Sequence, residues 1–171
     1  ALGAESGSVG NSLYYLAKQY ALARKVWNNY ISDPKFVSRR GLDVDYLIDT
    51  IFKKKAPLNI RALEASKTKY FIPISNSSTG DTEFVTNKSF FDYYETMRAA
   101  KALPIVYGKR VRLGFKTYID GGMTSNIENL AKKVLSTGVT TLITINCEPT
   151  TRNTISKVFL GAKAVSSTRG L

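Results

Sequence analysis

Two short glycine-containing stretches carry side chains able to do nucleophilic chemistry. In the first, Thr117-Tyr118-Ile119-Asp120-Gly121-Gly122, a carboxylate closes a run of apolar and aromatic residues and two glycines follow it. Glycines there permit a tight turn or a close approach of another chain at a strand end, where α/β sheets bind ligands. The same residues also suit an ordinary turn in which the aspartate bonds its own backbone. In the second stretch, Gly3-Ala4-Glu5-Ser6-Gly7-Ser8-Val9-Gly10-Asn11, serines sit among small residues just ahead of an apolar-periodic segment. A serine on a sharp turn entering a helix can be an exposed nucleophile, and the helix N-terminus favours a developing oxyanion. A flexible Ser/Gly-rich chain end has the same composition.

The rest of the composition narrows the chemistry. The 171 residues include no histidine, so no Ser-His-Asp triad, Cys-His pair or His-ligated metal site can be built from this chain. A nucleophilic serine then needs another base, and a carboxylate is the natural one. No metal site and no cofactor are expected. Cys147 is the single cysteine, which excludes an internal disulfide framework; it reads as a small core residue. A formal charge of +12 favours anionic partners, with a generic solubilising surface as the alternative. The clusters Lys53-Lys54-Lys55 and Lys109-Arg110-Val111-Arg112, with Arg39-Arg40, suit phospholipid headgroups or plain solvation. Nucleic acid is not expected, since no recognised binding motif accompanies the charge. The chain shows no run of about 18 apolar residues and no signal-like segment, so it reads as soluble, cytoplasmic or peripheral to a membrane.

Which elements would position these groups? Apolar residues from Leu13 to Tyr30 recur at helical spacing, and Asp33-Pro34 ends that helix. A second helix, capped by Asp43, is expected over 43–53, and a third over 59–65. Lys69–Ser75 and Glu83–Thr86 read as strands around the turn at 76–81. Ser89 should cap a helix running to about Ala102. Val111–Leu113 and Lys116–Ile119 form a hairpin turned at Gly114, and Ile127–Leu135 is a helix stopped at Gly138. Thr140–Ile145 reads as a buried interior strand. The fold class is α/β, a sheet with helices on both faces.

In order along the chain, these stretches resemble the patatin-like phospholipase family of serine lipid acyl hydrolases. That family places a G-x-S-x-G elbow before a long helix and a D-G-G or D-G-A aspartate far downstream. Further likenesses are Ser12-Leu13-Tyr14-Tyr15-Leu16-Ala17, Asp33-Pro34-Lys35-Phe36, Leu42-Asp43-Val44-Asp45-Tyr46-Leu47, Met97 to Pro104, and Lys116 to Asn126, the clearest match. The resemblance spans about residues 3–149, read as a partial acyl hydrolase domain with a three-layer core. Residues 150–171 would be a partly disordered tail. The family's first strand and oxyanion loop would precede residue 1.

The resemblance implies phospholipase A-type hydrolysis of phospholipid or another acyl lipid through an acyl-enzyme, with a Ser–Asp pair. Asp120 is the base, and Gly7, Gly121 and Gly122 form the substrate and oxyanion region. The elbow departs from the pattern: Gly3 and Gly7 bracket Glu5, not serine. Counting back from Asn11 makes Ser6 the nucleophile, with Ala4 and Ser8 in place of the glycines. Another register selects Ser8, and a third leaves Glu5 where the nucleophile is lost. The alternative function is therefore a catalytically inactive patatin-like module that binds anionic membranes.

Overall fold

The computed structural model describes residues 1–38, 41–88 and 92–145. It is a mixed α/β structure arranged around one central strand, β4 (Tyr70–Asn76), every residue of which is buried. One edge of β4 is taken along its length by antiparallel β5 (Thr82–Thr86), from Phe71 opposite Thr86 to Ser75 opposite Thr82. The other edge is shared. β1 (Leu2–Gly3) pairs in parallel with Tyr70 and Phe71, while β7 (Lys116–Asp120) pairs antiparallel with Ile74 to Asn76. β6 (Val111–Leu113) completes this sheet beside β7. The hairpin turn between β6 and β7 falls at Gly114, whose φ of 61° suits glycine.

Pro73 sits where the shared edge changes partner. The carbonyls of Lys69 and Phe71 accept from Leu2 and Ala4 of the β1 segment. By strand alternation, Pro73 turns toward the same edge, at the gap between β1 and β7. A residue without an N–H costs the ladder least at such a gap.

Helices cover both faces. Tyr70, Ile72 and Ile74 point into the main core with residues of α1 (Ser8–Leu16), α2 (Tyr20–Asn29), the π-helix Tyr46–Lys55, α3 (Ile60–Ala65) and α4 (Tyr93–Ala99). Phe71 points the other way, into a smaller cluster with Leu130 and Val134 of α5 (Ile127–Leu135). A short hairpin, β2 (Val37–Ser38) with β3 (Gly41–Leu42), stands apart from the main sheet.

The caps follow the sequence. Asn59 and Asn126 accept backbone N–H groups at the starts of α3 and α5, and the carboxylate of Asp43 accepts from Tyr46 N. Three expectations change. The helix expected over 13–30 is two helices, because the chain turns through Lys18 at φ 57° between Leu16 and Tyr20. The helix ending near Ala102 is shorter, running from Tyr93 to Ala99, and Asp92 caps it through bonds from Tyr94 and Glu95. Thr140–Ile145 is not an interior strand. It is irregular and exposed, with Ile143 at 84% and Ile145 at 85%. β-branched residues make a strand only where an edge pairs with them, and no described strand pairs with this segment. The expectations for Ser89, Arg39-Arg40, Cys147 and the 150–171 tail lie outside the described residues.

A charged cluster ties α4 to the π-helix. The largely buried Arg98 guanidinium bonds Asp49 at 2.8 Å and Glu95 at 3.0 Å, and also contacts Asp45. Burial pushes the Asp45 pKa up, but hydrogen bonds from Lys109 and Tyr107 and the Arg98 charge outweigh it and hold the pKa below the ordinary value. Asp49 is likewise lowered, with Lys53 and Arg98 overcoming desolvation. Carboxylates lowered on folding add stability above their ordinary pKa of about 4 and lose it as pH falls through the lowered value. Replacing Arg98→Met leaves three carboxylates without their shared cation. Since those carboxylates are partly exposed and keep Lys53 or Lys109, the expected cost is about 1–2 kcal/mol at neutral pH, read by urea unfolding. The cost should shrink below about pH 4 as Asp45 and Asp49 protonate.

Candidate active site

The shared edge of β4 brings the two glycine-containing stretches together. β1 and β7 run toward each other along it, so the residues following Gly3 meet the last residue of β7. Gly3 itself lies against α5, where a Cβ would stand 2.8 Å from Leu130 Cδ1. After Ala4, whose N–H bonds the Phe71 carbonyl at 3.1 Å, the chain turns sharply into α1. Ser6 takes the turn at φ 50°, a left-handed conformation that non-glycine residues rarely adopt. This strand–turn–helix geometry is that of a nucleophile elbow.

Ser6 Oγ donates to Asp120 Oδ2 at 2.7 Å, across 114 residues of sequence. Asp120 is fully buried. Its Oδ1 accepts from Gly122 N at 2.8 Å, its N–H donates to the Ala102 carbonyl at 3.1 Å, and its carbonyl accepts from Ser75 Oγ at 2.9 Å. The turn bond and the bond to Ser6 therefore coexist, one on each carboxylate oxygen. A hydroxyl held this way can pass its proton to the carboxylate as its oxygen attacks an electrophile.

Ser8 is placed differently. Its Oγ accepts from Glu5 N at 3.0 Å and donates to the Glu5 carbonyl at 2.7 Å, which staples the turn. Ser6, not Ser8, is thus the serine brought to Asp120. Glu5 precedes it and directs its carboxylate toward Gly122, where a Cβ would stand 2.6 Å from Glu5 Oε1. Gly7 lies one residue beyond Ser6 at the N-terminal end of α1, with open space where a side chain would be.

Beside the serine lies a cavity of about 150 Å³, lined by Ser6, Gly7, Gly10 and Asn11 on one side and by Val26, Trp27, Phe36, Val44, Leu47 and Phe52 on the other. Trp27 Nε1 donates to Asn11 Oδ1, fixing the indole at the wall. Lys101 is the charged member of the lining. Its Nζ donates to the carbonyl oxygens of Ser6 at 2.8 Å and Gly7 at 3.4 Å. Burial pushes its pKa down to about 8, against the upward pull of Asp120. Sequence reading did not single out Lys101. The available signal was a lone cation inside the small and apolar run Ala99-Ala100-Lys101-Ala102-Leu103. The cavity wall was not legible either, because its residues come from separate segments.

Asn76-Ser77-Ser78 and Asn87-Lys88-Ser89 fit the Asn-x-Ser glycosylation pattern, but Asn76 and Asn87 are buried, and Asn87 bonds the backbone of Tyr70 and Thr68. Among the described residues, no group of three His, Cys, Asp or Glu could hold a metal ion, and no helix is long and apolar enough to cross a membrane. Comparison with known proteins adds no relative: no family model, curated protein or solved structure matches this chain.

The two glycines after Asp120 separate by what they face. A Cβ on Gly121 would stand 2.1 Å from the Pro73 carbonyl oxygen, a backbone atom that cannot yield locally. At Gly122 the nearest atom is the far end of the Glu5 side chain, which can rotate, and Asp120 Oδ1 at 3.2 Å need give only slightly. Gly121→Ala should therefore destabilise the fold by about 1–3 kcal/mol or more, whereas Gly122→Ala should cost well under 1 kcal/mol. Denaturant unfolding of the two variants side by side checks this order.

Proposed function

We propose that this protein is a serine acyl hydrolase of the patatin-like type, cleaving carboxylic esters of phospholipid or another acyl lipid through a Ser6–Asp120 pair. The observation that carries the reading is the 2.7 Å hydrogen bond from an elbow serine to a buried aspartate. The resemblance of the elbow, the Met97–Pro104 segment and the Lys116–Asn126 segment to that family, with its three-layer core, supports it. The absence of histidine makes a carboxylate the fitting base.

In this mechanism Ser6 Oγ adds to the ester carbonyl carbon while its proton moves to Asp120 Oδ2. The tetrahedral oxyanion forms at the N-terminal end of α1, where the Gly7 N–H and the helix dipole favour negative charge. Collapse breaks the ester C–O bond, and the departing alcohol takes the proton from Asp120. Water then adds to the acyl-enzyme by the reverse proton path and releases the fatty acid. The apolar wall formed by Val26, Trp27, Leu47 and Phe52 takes the acyl chain.

An active-site fluorophosphonate probe on the full-length protein tests this reading. The parent should be labelled on Ser6. Ser6→Ala should abolish labelling, and Asp120→Asn should lower ester turnover by about 10²–10⁴ with the fold retained. Ser8→Ala should still be labelled. A folded parent that resists the probe would instead support an inactive lipid-binding module.

The substrate surface we propose is an anionic membrane. Phe115, 100% exposed, stands on the β6–β7 turn between Arg112 and Lys116, both exposed as well. An apolar tip flanked by cations suits a headgroup boundary. Sedimentation with anionic liposomes should weaken steeply as salt rises past about 0.15 M, where exposed charges are screened within about 8 Å. Phe115→Ser should weaken it at every salt concentration.

A further inference from the structure

We infer that Lys101 is a positioning residue of the Ser6–Asp120 pair, clamping the elbow by its carbonyls and presenting positive charge to the aspartate. This rests on the hydrolase reading above and adds to it a residue outside the pair. Lys101 follows α4, and its Nζ spans to the Ser6 and Gly7 carbonyls at 2.8 and 3.4 Å. The next residue, Ala102, accepts the Asp120 N–H at 3.1 Å. Two adjacent residues thus grip both halves of the pair, one through a side chain and one through the backbone.

The elbow has reason to need a clamp. Ser6 is held at φ 50°, a strained conformation that persists only where its surroundings impose it. Its carbonyl is fixed from two directions, by Val9 N within the first turn of α1 at 3.2 Å and by Lys101 from outside. Loss of the outer bond would let the turn relax and carry Oγ away from Asp120, and a displacement of about 1 Å can cost 10²-fold in rate.

Charge supplies the second argument. Asp120 is fully buried, and a cation within reach favours the ionised carboxylate that a base requires. Among the described residues, the Glu5 carboxylate on the elbow lies close to Gly122, beside Asp120. Arg98 of α4 is engaged with Asp45, Asp49 and Glu95, and the cavity residues from α2 and the π-helix are uncharged. Among the described residues, Lys101 is a cation whose charge couples to the aspartate. Its pKa of about 8 means that this charge fades as pH rises through 8, well below the ordinary lysine value of about 10.4.

The test compares full-length parent, Lys101→Met and Lys101→Arg by fluorophosphonate labelling rate and by the pH profile of kcat/KM on a soluble ester. Lys101→Met should label about 10- to 100-fold more slowly, lose kcat more than KM, and have its acid limb moved up by about 1–3 pH units. The parent should decline near pH 8, and Lys101→Arg, which stays charged, should recover activity and lack that decline. Should Lys101→Met fail to fold, the parent and Lys101→Arg profiles alone decide the matter through the presence or loss of the limb near pH 8. A folded Lys101→Met with the parent's labelling rate and pH profile would overturn the inference while leaving the hydrolase reading intact. Failure of the probe to label the parent would overturn both.

Discussion

One edge of β4 serves two strands that run toward each other, and the site depends on that arrangement. β5 occupies the opposite edge along most of its length, so β1 and β7 must divide what remains. β1 runs parallel to β4 and β7 antiparallel, so the end of each points at the gap beside Pro73. Whatever follows β1 must meet whatever ends β7. Ser6 and Asp120 are those residues, and backbone pairing brings them together before their own hydrogen bond is considered. The surrounding glycines fit the same constraint: Gly3 admits Leu130 of α5, and Gly121 admits the Pro73 carbonyl.

The gap leaves the local backbone to be held by other means. Ser8 staples the Glu5 backbone, Lys101 holds the Ser6 and Gly7 carbonyls, and Ala102 holds the Asp120 N–H. These partners come from α1 and from the segment after α4, so packing of separate elements is converted into the position of one hydroxyl. The Arg98 cluster extends the support outward by fixing α4 against the π-helix, which also lines the cavity.

Much of this was legible in the residues, for reasons that differ by element. Turns and caps were clear where a single side chain decides them, as at Asp43, Gly114 and Gly138. Asp120 drew notice because two glycines follow it at a strand end, but those residues suit an ordinary turn as well, and its assignment as base came from the family resemblance. The choice between Ser6 and Ser8 could not be made from spacing, since three registers fit the same nine residues; the direction of β1 decides which serine faces the aspartate. Thr140–Ile145 misled because its composition suits a strand, while strand formation depends on an available edge. The break at Lys18 was hidden because the apolar period continues through it. Lys101 escaped notice because its partners are carbonyl oxygens, and a carbonyl leaves no mark in the sequence.

The separation of the pair along the chain has a consequence for how the protein comes into being. Closing a loop of 114 residues costs of order 4 kcal/mol of chain entropy, and that contact is made only after nearer ones have formed. During synthesis the elbow leaves the ribosome long before β7, and the segment carrying it waits without its carboxylate while helices and the β4–β5 hairpin assemble. The serine thus acquires its partner at a late stage of folding. On the proposed hydrolase reading, a half-folded chain would carry an unarmed hydroxyl, and competence to attack an ester would coincide with completion of the sheet.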